Sequence, residues 1–231
     1  MRAASSVTYA PVLFPMAMMH TIFCALLFVF IVMLFSSEVE ASQRDCNPQL
    51  ESGARAREVR VGNIDQELFN SSVLTYVNVE RCKRGLVQLQ PDASLMRATL
   101  QHSSHMATNT YVSHKSTQAG YRDLQDRLAK AGVHYRVAGE NVAKSFVFAF
   151  NKQSISGDRA NCRFNYASNG NRVPRHTYDT LAKDLVILWM ASPTHRSNIL
   201  HRSFRKVGAT FDINSGQGFC GTIYAAQNFS N

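Results

Sequence analysis

The stretch LAKDLVILWMASPTHRSNIL, residues 181–200, decides more of the fold than any other part of the sequence. Its first half places apolar residues at the i, i+4, i+7 and i+8 positions of one helix face, at Leu181, Leu185, Leu188 and Trp189. Trp189 is the only tryptophan of the chain and stands at the end of this stripe. The spacing predicts an amphipathic helix that packs through this face.

The helical pattern breaks at Ser192-Pro193. Proline cannot continue a helix, but it suits the first position of a new one, for which Ser192 is a suitable N-cap. The break therefore predicts a sharp corner and places His195 in the first turn of a second, short helix. An imidazole held at a rigid corner is a candidate for ligand binding or chemistry.

The N-terminus carries a targeting segment. Residues 16–35 are almost entirely apolar, and Val39 and Ala41 are small residues suited to a cleavage site after Ala41. The segment at 1–41 is predicted to be either a cleaved signal peptide or a membrane anchor formed by residues 16–35. Residues 42–65 form a polar lead-in to the domain, and we expect the protein to be secreted, periplasmic or extracellular, or else anchored to a membrane.

Four of the five cysteines lie beyond the apolar segment. An even number of cysteines in an exported chain predicts two disulfides, and of the three connectivities we expect Cys162–Cys220 and Cys46–Cys82. None of these cysteines has the C-x-x-C spacing of a zinc site.

The net charge of +9 would draw an exported protein to anionic surfaces such as cell walls or lipid headgroups, but it is equally typical of a soluble basic domain, which is the favoured interpretation. No basic run is dense enough to indicate nucleic-acid binding. The sequence also lacks a G-x-S-x-G elbow, an H-E-x-x-H zinc motif, a phosphate-binding loop and a dinucleotide fingerprint.

The remaining elements follow from periodicity and turn residues. We predict helices near residues 66–89, 91–111 and 121–131, a strand over 133–137, an insertion loop at about 151–175, and a terminal hairpin of 204–213 and 219–229. Gly139-Glu140-Asn141 is interpreted as a bulge or close-packed turn.

Three groups of polar residues are candidates for function. His102 and His105 stand three apart on a predicted helix, a spacing that suits a shared metal but also an ordinary half-buried helix. His114 lies in a loop, where functional residues are frequent. Glu140 stands between a glycine and apolar residues, so it either is a buried carboxylate of functional importance or holds a turn together.

Six segments in order resemble the CAP superfamily, which comprises cysteine-rich secretory, antigen 5 and pathogenesis-related proteins and is also called the SCP domain. They are LTYVNVERCKRGLVQLQPDASLMRATLQHSSHM, YVSH, GENVA, LWMASPTHRSNIL, FRKVGATF and IYAAQNF. The resemblance covers roughly Leu68 to Phe229, and SPTHRSNIL is most similar to the bacterial branch.

The resemblance implies a CAP domain at 66–231. Its fold is α/β, a three-layer α-β-α sandwich with a central antiparallel sheet, stapled by disulfides. It also implies a cleft lined by His114, Glu140 and His195 that holds zinc or another divalent metal. The second glutamate of the family pattern is replaced here by Ser192.

Two functions remain open at this stage. The first is a non-enzymatic binding module for a lipid, a sterol, a cell-wall component or a protein partner. The alternative is a metal-dependent hydrolase or protease that uses the same cleft, with Glu140 as base. A third interpretation is structural, in which His114, Glu140 and His195 bond to one another and clamp helices to the sheet.

Overall fold

The last two strands of the chain form the centre of the sheet. In the computed structural model, which describes residues 52–151 and 153–231, these strands are joined into the predicted hairpin. The elements are α1 (Ser52–Arg55), α2 (Gln66–Cys82), β1 (Gln90–Pro91), α3 (Ala93–Asn109), α4 (Leu124–Lys130), β2 (Ala138–Phe146), β3 (Ile155–Asp158), β4 (Arg163–Tyr166), α5 (Tyr178–Ala191), α6 (Pro193–Ile199), β5 (Lys206–Asn214) and β6 (Thr222–Ser230).

The main sheet has the strand order β1-β5-β6-β2. The three long strands are antiparallel, as expected, and the two-residue edge strand β1 runs parallel to β5. Every residue of β6 is buried, because helices cover both faces of the sheet.

Alternate residues of the strands pack into two separate cores. Val142, Tyr224 and Ala226 face Met106 of α3 on one side. On the other side, apolar residues of β5 and β6 join the larger core with those of α2, α5 and α6, among them Phe69, Val77, Leu185, Ile199, Ala225 and Phe229. The α-β-α sandwich is therefore confirmed.

The predicted helix and corner at residues 178–199 are present as α5 and α6. Trp189 is fully buried and its Nε1 donates to the Val142 carbonyl at 3.3 Å. Leu188, however, is 50% exposed. The prediction that Leu188 belongs to the packed face was wrong, because this residue lies about a quarter-turn around the helix from the centre of the buried face. Pro193 occupies the first turn of α6 as predicted, but the side chain of Ser192 makes no capping hydrogen bond.

The predicted strand at 133–137 and the predicted bulge or close-packed turn at Gly139-Glu140-Asn141 are both wrong. The strand is β2, and it pairs without interruption from Ala138 with Ser230 to Phe146 with Thr222. Residues 133–137 have no strand opposite them because β6 ends at Ser230. Because Gly139 has no Cβ, α6 can pack close to β2 at this position. A Cβ there would lie 2.9 Å from Asn198 Oδ1.

The insertion at 151–175 is more ordered than a loop, because it contains the hairpin of β3 and β4. The predicted Cys162–Cys220 disulfide is present and ties this hairpin to the turn before β6. Cys82 is disulfide-bonded, but its predicted partner Cys46 lies outside the described residues.

The predicted targeting segment at 1–41 also lies outside the described residues, as does the first part of the polar lead-in. The end of the lead-in packs on the domain, where Val59 is fully buried and its N–H donates to the His176 carbonyl at 2.8 Å. Among the described helices, none combines the length and apolar character needed to cross a membrane.

Candidate functional site

Three separate elements bring the predicted residues together. His114 lies in the loop after α3, Glu140 in β2 and His195 in the first turn of α6. His114 Nδ1 is 3.0 Å from Glu140 Oε1, and the two imidazole rings have their centres 6.3 Å apart. The fold therefore assembles the histidine pair that the sequence predicted.

The Glu140 carboxylate is enclosed by cationic and donor groups. Its side chain is 3% exposed, and Arg127 Nη2 donates to Oε2 at 2.6 Å while His114 contacts Oε1. Burial by itself would raise the pKa of Glu140, but the His114 hydrogen bond and the Arg127 charge outweigh burial and lower it. Glu140 is therefore held as a carboxylate.

Sequence reasoning missed Arg127, which is fully buried. Its guanidinium also donates to the carbonyls of Tyr121 and His114, both at 3.3 Å, so it joins α4 to the loop that carries His114. The available signal was its position three residues after Leu124, on the apolar face of the predicted helix, where a charged side chain needs a buried partner.

His102 and His105 do not converge on one ligand. His102 is fully buried, and its Nε2 donates to the Ser113 carbonyl at 2.8 Å, whereas His105 Nε2 lies 3.1 Å from the Tyr111 hydroxyl. Burial lowers the pKa of His102 to about 4, only partly offset by the Glu140 charge. His102 therefore supports the His114 loop as a neutral imidazole.

His195 is partly exposed at the corner between α5 and α6. Burial and the proximity of His114 lower its pKa, which favours the neutral form. Within residues 52–151 and 153–231, no protein group hydrogen-bonds to the ring nitrogens of His195 or to Nε2 of His114. These nitrogens are thus available to a ligand.

Amide side chains fix α6 against the sheet beside the histidines. Asn198 Nδ2 donates to the Glu140 carbonyl at 3.0 Å and to Asn141 Oδ1 at 2.9 Å. Asn141 Nδ2 in turn donates to Gln227 Oε1 at 3.1 Å, and Gln227 is fully buried. Because each amide has a partner on another element, the position of His195 is set by β2 and β6.

A pocket of about 670 Å³ opens next to His114 and Glu140. Its other lining residues come from the loop after α3, from the start of α4 and from the start of β2 with the segment before it: Lys115, Asp123, Leu124, Gln125, Tyr135, Arg136, Val137 and Ala138. His195 is not among them. The pocket beside His114 therefore has room for a ligand with both polar and apolar parts.

The protein donors that this site offers to a metal are limited to two histidines. Across the described part of the chain, no group of three or more His, Cys, Asp or Glu side chains is arranged to hold a metal ion. Glu140 is directed to Arg127 and His114, and Ser192 provides no carboxylate. The donors left to a metal are the ring nitrogens of His114 and His195 that have no protein partner among the described residues, and Glu140 holds His114 from behind.

Two curated proteins are similar to this chain in sequence. It is 28% identical over 148 residues to the uncharacterized protein YkwD of Bacillus subtilis (strain 168), which covers 64% of this chain and 44% of that protein. It is 37% identical over 82 residues to the uncharacterized membrane protein YlbC of the same organism, covering 36% of this chain and 23% of that protein. The chain thus spans less than half the length of either relative.

The structural comparison supports the fold alone. The solved structure of an outer surface protein from Borrelia burgdorferi matches 74% of this chain and 99% of its own, with a TM-score of 0.50 and 13% identity. At the sequence level, residues 74–229 match the family CAP, the cysteine-rich secretory protein family. Because this match covers more than half of the 231 residues, the chain belongs to the cysteine-rich secretory protein (CAP) family.

Proposed function

We propose that this protein is an exported CAP-domain binding module whose His114–His195 cleft holds a divalent metal such as zinc. The cleft would bind a polar group of a lipid, a sterol, a cell-wall component or a protein partner. One observation carries the proposal: His114 gives one ring nitrogen to Glu140 and keeps the other unbonded, with the His195 ring 6.3 Å away between centres.

The hydrogen bond to Glu140 supports a metal-binding role for His114. A carboxylate accepts, so Nδ1 carries a proton, and in a neutral ring the lone pair then lies on Nε2, where a metal can bind. His195 is kept neutral by burial. A metal held by these two imidazoles would attract an anionic or carbonyl oxygen of the ligand.

The geometry supports binding more than hydrolysis. A general base must reach a water molecule beside the substrate, but both oxygens of Glu140 are engaged and its side chain is 3% exposed. Its lowered pKa also makes it a weak base. We therefore assign Glu140 a positioning role and place the hydrolase or protease second.

Export is supported by features outside the cleft. The Cys162–Cys220 disulfide is typical of oxidising compartments, and the structural neighbour from Borrelia is an outer surface protein. The apolar segment at 16–35 would either be removed as part of a signal peptide or retain the protein at the membrane. The domain would act outside the cytoplasm in both cases.

The first experiment is a zinc titration by calorimetry on the protein with its disulfides formed. The site variant is His114→Ala/His195→Ala, and the control is His134→Ala/His201→Ala, which removes two histidines outside the cleft. We expect one-to-one binding in the wild type and the control and its loss in the site variant. Absence of binding, or equal binding in the two variants, would contradict the proposal.

The Glu140→Gln variant separates binding from hydrolysis. The amide oxygen can still accept from His114, but Arg127 loses its buried counter-charge, so folding of the variant is verified first. In the folded variant, zinc affinity should fall about 10–100-fold. A broad panel of ester and peptide substrates, with and without a chelator, completes the test. Chelator-sensitive hydrolysis that disappears in Glu140→Gln would establish the hydrolase instead.

A further inference from the structure

A second pocket, of about 790 Å³, surrounds the Cys162–Cys220 disulfide. Four parts of the chain meet there: the end of the polar lead-in, the loop between β3 and β4, the segment before α5 and the turn between β5 and β6. The lining residues that matter for its chemistry are Glu58, Arg60, Arg159 and Arg175, with Gly216 and Gly218 in the turn.

This pocket is separate from the histidine cleft. A Cβ on Gly218 would lie 3.1 Å from the Phe146 ring, so the pocket adjoins the last residue of β2. Glu140 lies near the other end of the same strand, at a distance along it of about 20 Å. The two pockets are therefore at opposite ends of the sheet.

Two of the arginines are held in place by aromatic rings. The Arg159 guanidinium stands 4.8 Å from the centre of the Phe219 ring, and that of Arg175 stands 4.7 Å from the centre of the Phe148 ring. Stacking of this kind fixes the plane of a guanidinium and leaves its N–H edge outward. Less side-chain freedom is then lost when a ligand binds.

The N–H groups of these two guanidiniums have no partner among the described residues. Over the described ranges, neither Arg159 nor Arg175 forms an ion pair, and neither guanidinium donates a hydrogen bond to a protein atom. Other arginines, such as Arg81 and Arg127, use their donors inside the protein. The donors of the pocket are thus available to a ligand.

The pocket carries excess positive charge. Arg60 lies 3.5 Å from Glu58, its one nearby carboxylate among the described residues, so the three arginines and the glutamate leave a formal charge of +2. A single carboxylate ligand would neutralise half of this charge, whereas a phosphate monoester carries about −1.5 to −2 at neutral pH. Guanidinium groups also match phosphate oxygens through paired hydrogen bonds.

We propose that this pocket is a binding site for a phosphate-bearing ligand, with Arg159 and Arg175 as its principal donors and Arg60 as a supporting charge. The disulfide gives the site a rigid floor by joining the β3–β4 hairpin to the β5–β6 turn. The site works independently of any metal in the histidine cleft. An exported domain with two such sites would attach to a phosphorylated surface at one end and bind a ligand at the other.

The test is a calorimetric titration of the full chain with inorganic pyrophosphate. The site variant is Arg159→Gln/Arg175→Gln, and Arg172→Gln/Arg202→Gln is the matched control, because it removes the same formal charge at exposed positions outside the pocket. We expect the site variant to bind about tenfold more weakly or worse, and the control to stay within about twofold of the wild type. No binding by the wild type, or an equal loss in both variants, would overturn the proposal.

A charge-preserving variant, Arg159→Lys/Arg175→Lys, guards against loss of the fold. Lysine keeps the charge but cannot make the paired contact, so affinity should fall, while an unchanged urea-unfolding midpoint shows that the domain is intact. Unchanged affinity in this variant would overturn the assigned role of the guanidinium groups.

Two further probes identify the source of the phosphate. They are glucose 6-phosphate in solution and phosphatidylcholine vesicles containing phosphatidic acid. Arginine-dependent binding of the sugar phosphate supports a soluble or polymer-borne ligand, and arginine-dependent sedimentation with the vesicles supports a lipid headgroup. Failure of both probes to depend on Arg159 and Arg175 would overturn the proposal.

Discussion

The stability of this domain should fall in mildly acidic solution because of one histidine. His102 is completely buried, with a relative solvent exposure of 0%, and its Nδ1 has no hydrogen-bond partner among the described residues. Burial lowers its pKa from the ordinary value of 6.5 to about 4, with the nearby Glu140 charge acting in the opposite direction. The folded protein therefore keeps this imidazole neutral where the unfolded chain protonates it.

The size and sign of the effect follow from the two pKa values. Between pH 6.5 and about pH 4 the unfolded chain binds a proton at His102 that the folded protein does not, so the free energy of unfolding falls with falling pH. Each tenfold difference in proton affinity is worth about 1.4 kcal/mol, which gives a total of roughly 3 kcal/mol. Below about pH 4 both states are protonated, and His102 contributes no further loss.

The assay is urea unfolding of the wild type and His102→Gln across this pH range. Glutamine can still donate to the Ser113 carbonyl but does not titrate, so the wild type should lose roughly 3 kcal/mol more than the variant between about pH 7 and pH 4. The exposed residue His134 supplies the control variant His134→Gln, whose profile should follow that of the wild type. Parallel profiles for the wild type and His102→Gln would refute the reasoning.

Three more perturbations test the packing around the two sites. Arg127→Met should lower the free energy of unfolding, measured with urea, by about 3–5 kcal/mol, because it leaves the buried Glu140 charge without its cation. Adding Glu140→Gln should recover much of that loss, and strictly additive effects of the two substitutions would contradict the pairing. Gly208→Ala places a Cβ 2.4 Å from a backbone nitrogen of α3, so we expect the free energy of unfolding to fall by at least about 1–3 kcal/mol. An unchanged midpoint of urea unfolding would show that the helix can move aside. Replacing Cys162 and Cys220 by serine removes a crosslink between residues 58 apart in sequence. The free energy of unfolding should fall by about 4 kcal/mol, which lowers the melting temperature. An unaltered melting curve would mean that other contacts hold the β3–β4 hairpin.

Local patterns were sufficient for most of the elements. Period-3.6 apolar spacing identified the helices, and proline after serine located the corner before His195. The terminal hairpin followed from two β-rich runs around a Gly/Asn/Ser turn. The order of the motifs, rather than any single one, indicated the family and hence the layers of the sandwich.

Local patterns failed where a neighbouring element decides the outcome. Gly139 looked like a turn residue, but it makes room for Asn198 of α6 inside a regular strand. Residues 133–137 alternate like a strand, yet β6 ends before it could pair with them. Leu188 fits the helical stripe in spacing but lies beyond the edge of the face that the sheet covers.

The sequence by itself determined which residues are present for a site: two histidines and a carboxylate in family motifs, four cysteines beyond the apolar segment, and a net positive charge. Only the tertiary structure decided their roles. We assign Glu140 a positioning role because α4 brings Arg127 within 2.6 Å of it, a contact between residues 13 apart that no local spacing predicts. Arg159 and Arg175 became candidate ligand donors because their guanidinium groups stack on Phe219 and Phe148. Neither arginine has a carboxylate partner among the described residues. The physical reason is the same in each case: the charge state and availability of a side chain depend on burial and partners, and both are set by elements distant in sequence.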